Sequence, residues 1–219
     1  MARPTTHDEL LLGGRLLPLT RTIVFVEREA EAFVEMFMGW RGARITERTG
    51  CAPVVSTIEG SLEDALHALL PVVTAMSSKY LVVPTVNGWS AFIENLWTGT
   101  EGNLMAGAMA THGMRAASIS EAPHTYRAST NLGWWGQRTV TVAVPDRDQP
   151  HGQSAWTVGV RTTDSGRWEV AEPATAPPFP DPTERSVRKV ADRFTHEHLL
   201  QVAAWFGLRP TDVSTTREN

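Results

Sequence analysis

The chain has little cysteine, little lysine and no long apolar run, and each shortage excludes a class of protein. Cys51 is the single cysteine among 219 residues, which rules out an internal disulfide framework and a zinc site built from several thiolates. Lys79 and Lys189 are the only lysines, and a formal net charge of −4 argues against a broad basic surface for nucleic acid. No stretch approaches the roughly 20 apolar residues that a membrane-crossing helix needs. We therefore expect a soluble, cytoplasmic protein that binds neither nucleic acid nor a membrane.

The standard catalytic motifs are missing as well. The sequence contains no phosphate-binding P-loop, no dinucleotide fingerprint and no H-E-x-x-H motif. Cys51 is expected to be a small buried hydrophobic residue rather than a nucleophile. His196 and His198 are two positions apart, so on a helix their side chains point roughly 200° apart and cannot easily close on one ion. We predict no metal site and no cofactor.

The overall pattern predicts one α+β domain over residues 21–207. A flexible segment is expected over 1–20 and a polar tail over 208–219. Short extended runs separated by turn residues predict an antiparallel sheet, a meander of about 6–8 strands backed by helices.

The first part of the domain is predicted to alternate between strand and helix. A β-branched run predicts a strand over 22–27. Apolar residues that recur at helical spacing from Ala30 predict a helix closed by Trp40 and Gly42. Residues 43–49 are interpreted as a short polar strand.

A β-hairpin is the clearest local prediction. Asn87 and Gly88, the preferred pair of a type I′ turn, separate two runs that are typical of strands. Pro84 places the first of these strands at a sheet edge or at a bulge. A helix over 102–112 is expected to follow, with Gly113 as its C-cap.

The rest of the chain is interpreted as strands, a connector and two helices. The further strands are predicted near 114–120, 124–132, 138–144, 155–162 and 167–172. The proline-rich stretch 173–182 predicts an extended connector. Thr183 and Thr195 are each expected to cap a helix.

Tryptophan is abundant, and six of the eight tryptophans fall between residues 89 and 168. Two stretches of this region mix tryptophan with polar side chains, and aromatic residues and arginine dominate the binding energy of protein interfaces. The candidate binding residues are Trp89, Asn95, Trp97, Tyr126, Arg127, Asn131, Trp134 and Trp135. The same residues would suit the walls of a small-molecule cleft. The alternative is that most of these tryptophans fill the core between sheet and helices.

Part of the chain resembles a known sequence pattern. The segments 89–95 (WSAFIEN) and 99–102 (GTEG) resemble a W-x-A-x-F-x-N … G-T-D pattern. Its C-terminal companion is similar to three further segments: 166–170 (GRWEV), 178–179 (PF) and 187–195 (VRKVADRFT). The pattern is that of uncharacterised actinobacterial proteins that look like immunity or accessory proteins. The resemblance covers roughly residues 80–207 and departs from the pattern at Glu101 and Pro180, where Asp and Glu are expected. It implies protein binding and carries no catalytic residues.

Two functional hypotheses follow from these observations. The leading one is a binding protein whose tryptophan-rich face engages a protein partner. The alternative is a small-molecule enzyme of bacterial specialised metabolism, with Glu94 or His124 as acid or base and Arg127 binding an anionic group. Catalysis requires these three side chains to converge within hydrogen-bond reach around a cavity. Binding requires Trp134 or Trp135 to be exposed on a flat or convex patch with no enclosed pocket. The sequence leaves the oligomeric state open.

Overall fold

The computed structural model describes residues 10–14 and 16–210, and this part of the chain forms one antiparallel sheet with helices on both faces. The seven strands are β1 (Thr22–Val26), β2 (Tyr80–Pro84), β3 (Ser90–Glu94), β4 (Ala116–Ala122), β5 (Gln137–Pro145), β6 (Gln153–Thr162) and β7 (Trp168–Val170). The α-helices of the described residues are α1 (Ala30–Thr49), α2 (Leu62–Ala68), α3 (Gly102–Thr111) and α4 (His196–Trp205). The predicted single-domain α+β class is confirmed.

The strand order across the sheet is β2-β3-β1-β4-β5-β6-β7. Every neighbouring pair is antiparallel, and β4 to β7 form the predicted meander. Pro84 lies on β2, an edge strand, as its missing N–H requires. The hairpin differs from its prediction in one respect. Its loop has three residues, 86–88, because the backbone N–H of Thr85 bonds to the carbonyl of Trp89.

The two faces of the sheet bury two separate apolar layers. Successive residues of a strand point to opposite faces, so Ile23 and Phe25 of β1 join the layer beneath α2 and α4. Val24 and Val26 join the layer beneath α1 and α3. All five residues of β1 are buried because this strand lies inside the sheet and both of its faces are covered.

Helix α1 is longer than predicted and corrects the interpretation of residues 43–49. Those residues continue the helix, which ends at Thr49 before Gly50 in a left-handed conformation with φ 73°. Gly42 lies inside the helix and is buried, so it did not mark an end. The second half of α1 looked like a polar strand because much of it faces solvent and it has little apolar periodicity.

Two further predicted elements are wrong. Residues 124–132 form a loop that turns back on itself, with one isolated bridge between Arg127 and Leu132 instead of a strand. The helix expected after Thr183 is absent from the described residues, where one short 3-10 turn spans Val190–Asp192. Thr183 instead donates its hydroxyl proton to Asp181. The helix capped by Thr195 is confirmed as α4.

The segments expected to flank the domain contribute to its core where they are described. Leu11 and Leu19 are 1% exposed, and Leu208 is 3% exposed. The described part of 1–20 and the first residues of 208–219 therefore pack with the domain. Residues 1–9, 15 and 211–219 lie outside the described part of the chain. Cys51, expected to be buried, is exposed.

Candidate functional site

Aromatic side chains gather at the end of the sheet where β4 ends and β5 begins. The loop between these strands, residues 123–136, carries four of them, and two neighbours come from Trp97, just after β3, and Trp168, the first residue of β7. We call this surface the aromatic strip, formed by the side chains of Trp97, His124, Tyr126, Trp134, Trp135 and Trp168.

One half of the strip is a stack centred on Trp135. The Tyr126 ring lies over it, with centroids 3.9 Å apart and planes inclined by 26°. His124 stacks on the same indole at 5.8 Å and meets Trp168 edge-on at 6.2 Å. The Tyr126 hydroxyl donates a 2.8 Å hydrogen bond to Asn131 Oδ1. The ring is therefore fixed at its face and at its polar end.

The other half of the strip pairs Trp97 with Trp134. Their ring centroids are 5.8 Å apart, and the Arg21 guanidinium lies 6.0 Å from the Trp134 ring. Trp97 is 50% exposed, which is unusual for a side chain with so much apolar area. Trp134 is held by its backbone N–H, which donates to Thr125 Oγ1 at 3.0 Å.

The tight loop beneath the strip depends on Gly133. This residue has φ +99°, and a Cβ atom there would lie 2.3 Å from the carbonyl oxygen of Thr125. Only glycine fits both the backbone conformation and the close approach. Its position brings Trp134 back across Thr125 and Tyr126, whose backbone N–H groups both donate to the Trp134 carbonyl.

Two buried polar atoms at the strip lack hydrogen-bond partners. They are Arg21 Nε and Trp134 Nε1. Burial lowers the pKa of the Arg21 guanidinium, and no ion pair of Arg21 is found among the described residues. Native proteins pair nearly all of their buried polar groups, so two orphaned donors at one place require an explanation.

The structure brings most of the predicted binding residues together on this surface. Trp97, Tyr126, Asn131, Trp134 and Trp135 contact one another in the pairs given above, and Arg127 is an exposed member of the same loop.

Trp89 and Asn95 belong to the interior instead. Trp89 is 3% exposed and packs in the core layer of α2 and α4. Asn95 is fully buried, and its amide accepts hydrogen bonds from the backbone N–H groups of Ser78 and Lys79 and donates one to the carbonyl of Pro71. Both positions follow from the strand pattern, because they share a face with buried Ile93.

Glu94 lies apart from the strip, in a cavity of about 140 Å³. Neither His124 nor Arg127 lines that cavity. No hydrogen bond or ion pair joins any two of these three described side chains. The convergence that the enzyme hypothesis requires is therefore not observed.

The Glu94 carboxyl is buried and well bonded. It is 6% exposed, accepts a 3.1 Å hydrogen bond from Ser77 Oγ on one oxygen and a 3.0 Å bond from the backbone N–H of Glu101 on the other. Burial raises the pKa of Glu94, partly opposed by these two hydrogen bonds.

Sequence reasoning missed the arginines that line the same cavity. Arg41, Arg44 and Arg48 come from the second half of α1, and the last two fall in residues 43–49, where a strand had been predicted. Had the helix been extended to Gly50, their spacing of three and four would have placed them on one helical face.

The described residues contain neither a metal-binding cluster nor a helix that could cross a membrane. Within 10–14 and 16–210, no group of three or more His, Cys, Asp or Glu side chains is arranged to hold a metal ion. Each helix that the structure describes is too short or too polar to cross a membrane.

Comparison of the sequence and structure with known proteins identified no related protein. No protein-family model, curated protein or solved structure matches the chain. The resemblance to immunity or accessory proteins therefore stays a prediction.

Proposed function

We propose that this protein binds a partner protein through the aromatic strip, in the way of an immunity or accessory protein. The observation that carries the proposal is the exposed side chain of Trp97, packed against half-buried Trp134. Half of the Trp97 side chain is exposed to solvent, and its ring centroid lies 5.8 Å from that of Trp134. A large apolar side chain kept exposed and oriented is typical of an interface centre.

The strip is organised before any partner arrives. Tyr126 and Trp135 are stacked, and the Tyr126 hydroxyl is bonded to Asn131. Side chains that are already ordered lose little conformational entropy on binding, which leaves more of the contact energy for affinity.

The orphaned donors support a partner with hydrogen-bond acceptors. Arg21 Nε and Trp134 Nε1 have no acceptor among the described residues. An unmade hydrogen bond to a buried group costs about 1–3 kcal/mol, so a partner whose contact opens these buried atoms to an acceptor would gain that amount. The Arg21 guanidinium and exposed Arg127 make a carboxylate the best acceptor for this surface.

The experiment measures binding to the products of the genes that neighbour this one in its native genome. Purified candidates are tested by biolayer interferometry against the wild type and the double variant Trp97→Ala, Trp135→Ala. We expect one candidate to bind and the double variant to weaken that binding by about 100-fold, since two central aromatic anchors are lost.

Trp205→Ala is the matched control. Trp205 is 61% exposed, more than Trp97, but it ends α4 and is not part of the strip. Its replacement should leave affinity within about threefold of the wild type. Equal losses in the two variants, or an unchanged affinity in the strip variant, would count against the proposal, provided that both variants unfold at the wild-type temperature.

A further inference from the structure

A second surface, independent of the aromatic strip, has the features of a ligand site. It is the cavity of about 140 Å³ between the second half of α1 and the end of β3. The segment 75–77 and Tyr80 complete its wall. Pockets for drug-sized ligands run to roughly 300–1,000 Å³, so this one suits a compact molecule.

One wall of the cavity is a row of guanidinium groups. Arg41, Arg44 and Arg48 follow one another at intervals of three and four along α1, which puts them on one face over a rise of about 10 Å. Arg41 is steadied by its neighbour Trp40, whose ring lies 4.7 Å from the guanidinium carbon.

These three arginines have no carboxylate partner in the described part of the chain. Each ion pair found within 4.0 Å there belongs to other residues. Surface arginines without partners are common, but three of them on the wall of one cavity raise its positive potential.

The carboxylates that line the cavity are fewer than its guanidinium groups. Glu94 is turned to Ser77 and to the backbone of Glu101, which occupy both of its oxygens. Glu101 is exposed, and it too forms no ion pair with the arginines at 4.0 Å or less among the residues described. Three guanidinium groups thus face at most two carboxylates.

We propose that this cavity binds a small ligand with two or more negatively charged oxyanion groups, such as an organic diphosphate or a polycarboxylate. The planar fork of a guanidinium matches phosphate and carboxylate oxygens in pairs. A row of three forks selects an anion with more than one charged group over a simple monovalent ion.

The test is isothermal titration calorimetry of the full chain with sodium pyrophosphate and with sodium citrate. Sodium chloride at equal ionic strength serves as the blank. We expect saturable binding of at least one probe, and the tighter of the two assigns the ligand to the phosphates or to the carboxylates. Heats that match the chloride blank for both probes would overturn the proposal.

The arginine row is tested by the double variant Arg44→Gln, Arg48→Gln. Both positions are exposed on a helix, and glutamine is a good helix former, so the fold should be kept. We expect the affinity to fall by about tenfold or more, since two charge-assisted contacts are removed. Arg147→Gln, at an exposed arginine of the β5–β6 turn outside the cavity, should change it by less than about twofold. Equal losses in the two variants would mean that net charge alone attracts the anion, which overturns the site.

A last variant separates the cavity from the outer surface of α1. Ala75→Trp adds bulk at an exposed residue of the cavity wall and leaves every charge in place. We expect it to weaken binding as strongly as the arginine double variant does. Wild-type affinity in this variant would place the anion on the open helix surface and would overturn the cavity assignment.

Discussion

Glu121 and His196 lie 75 residues apart in the chain, yet Glu121 Oε2 and His196 Nδ1 are 2.8 Å apart. Arg138 Nε donates to the other carboxylate oxygen, and Arg138 Nη1 donates to the carbonyl of Phe194 at 3.1 Å. Glu121 is 1% exposed, so its charge depends on these two donors. The network joins β4, β5 and the start of α4.

The first prediction concerns the pH dependence that His196 gives to stability. The hydrogen bond to Glu121 raises the pKa of His196. A group whose pKa is raised by folding contributes its full stabilisation below its unfolded pKa, about 6.5 for histidine, and loses it as pH rises through the folded pKa. His196→Ala should therefore lower the free energy of unfolding by about 1–3 kcal/mol near pH 6 and by less near pH 9. Urea unfolding at the two pH values measures this.

His67→Ala is the control for this measurement. His67 is exposed on α2, and its ring nitrogen Nδ1 lies 2.9 Å from the carbonyl oxygen of Glu63 on the same helix. It should leave the difference between the two pH values unchanged. If the His196 variant showed the same pH dependence as the wild type, the Glu121 contact would not be the source of that dependence.

The second prediction concerns Arg138. Arg138→Met removes one of the two donors from buried Glu121 and should cost about 3 kcal/mol in the free energy of unfolding. Arg161→Met is the matched control, since Arg161 pairs with Glu169 in solvent, with side chains 55% and 42% exposed. It should cost less than about 1 kcal/mol. Similar costs for both variants would mean that the network contributes no more than a surface ion pair.

Much of the fold was predictable because it rests on local signals. Thr195 was predicted to cap a helix and does cap α4, where its hydroxyl accepts the N–H of His198. Pro84 predicted an edge strand for the simple reason that it lacks an N–H. The errors occurred where the local signal was weak. Residues 43–49 are helical although they have little apolar periodicity, since they extend a helix that begins at Ala30.

The sequence predicted the residue types of the candidate site but not which of these side chains are exposed. Trp89 and Trp97 are close in sequence, yet one is 3% exposed and the other 50%. Composition alone cannot separate a tryptophan that fills a core from one at a surface, because both are apolar and large. The loop from His124 to Trp135 depends on contacts across Gly133, which no periodicity predicts.

The third prediction concerns the buried carboxyl of Glu94. Burial raises the pKa of Glu94, so the folded state holds its proton more tightly than the unfolded state. At low pH, Glu94 is protonated in both states and burial of its carboxyl has no effect on stability through ionisation. Stability falls as the pH rises past the unfolded pKa of Glu94, about 4.3, and stays reduced above its folded pKa. Glu94→Gln keeps an acceptor for the Glu101 N–H and a polar contact to Ser77 Oγ. We expect this variant to have a free energy of unfolding about 1 kcal/mol higher than the wild type at pH 7. The gain should disappear near pH 4.

Glu59→Gln controls for the loss of one negative charge. Glu59 is exposed in the loop between α1 and α2, and its replacement should change stability by less than about 0.5 kcal/mol at either pH. A Glu94 variant that was less stable than the wild type at pH 7 would show that the carboxylate charge itself stabilises the fold.

The last prediction compares the stability cost of replacing a glycine in the loop with that of replacing a glycine in the sheet. Gly133 and Gly159 have φ of +99° and +125°, and a Cβ atom would lie 2.3 Å from Thr125 O and 2.2 Å from Arg138 O, respectively. Gly159→Ala forces β6 away from β5 and should cost more than about 3 kcal/mol. Gly133→Ala acts in a loop outside the strands, so it should cost about 1–2 kcal/mol and weaken the near-ultraviolet circular dichroism of the stacked Tyr126 and Trp135 rings. The Gly133 variant could instead lose as much stability as the Gly159 variant and keep its near-ultraviolet circular dichroism until global unfolding. That result would show that the aromatic strip unfolds together with the core.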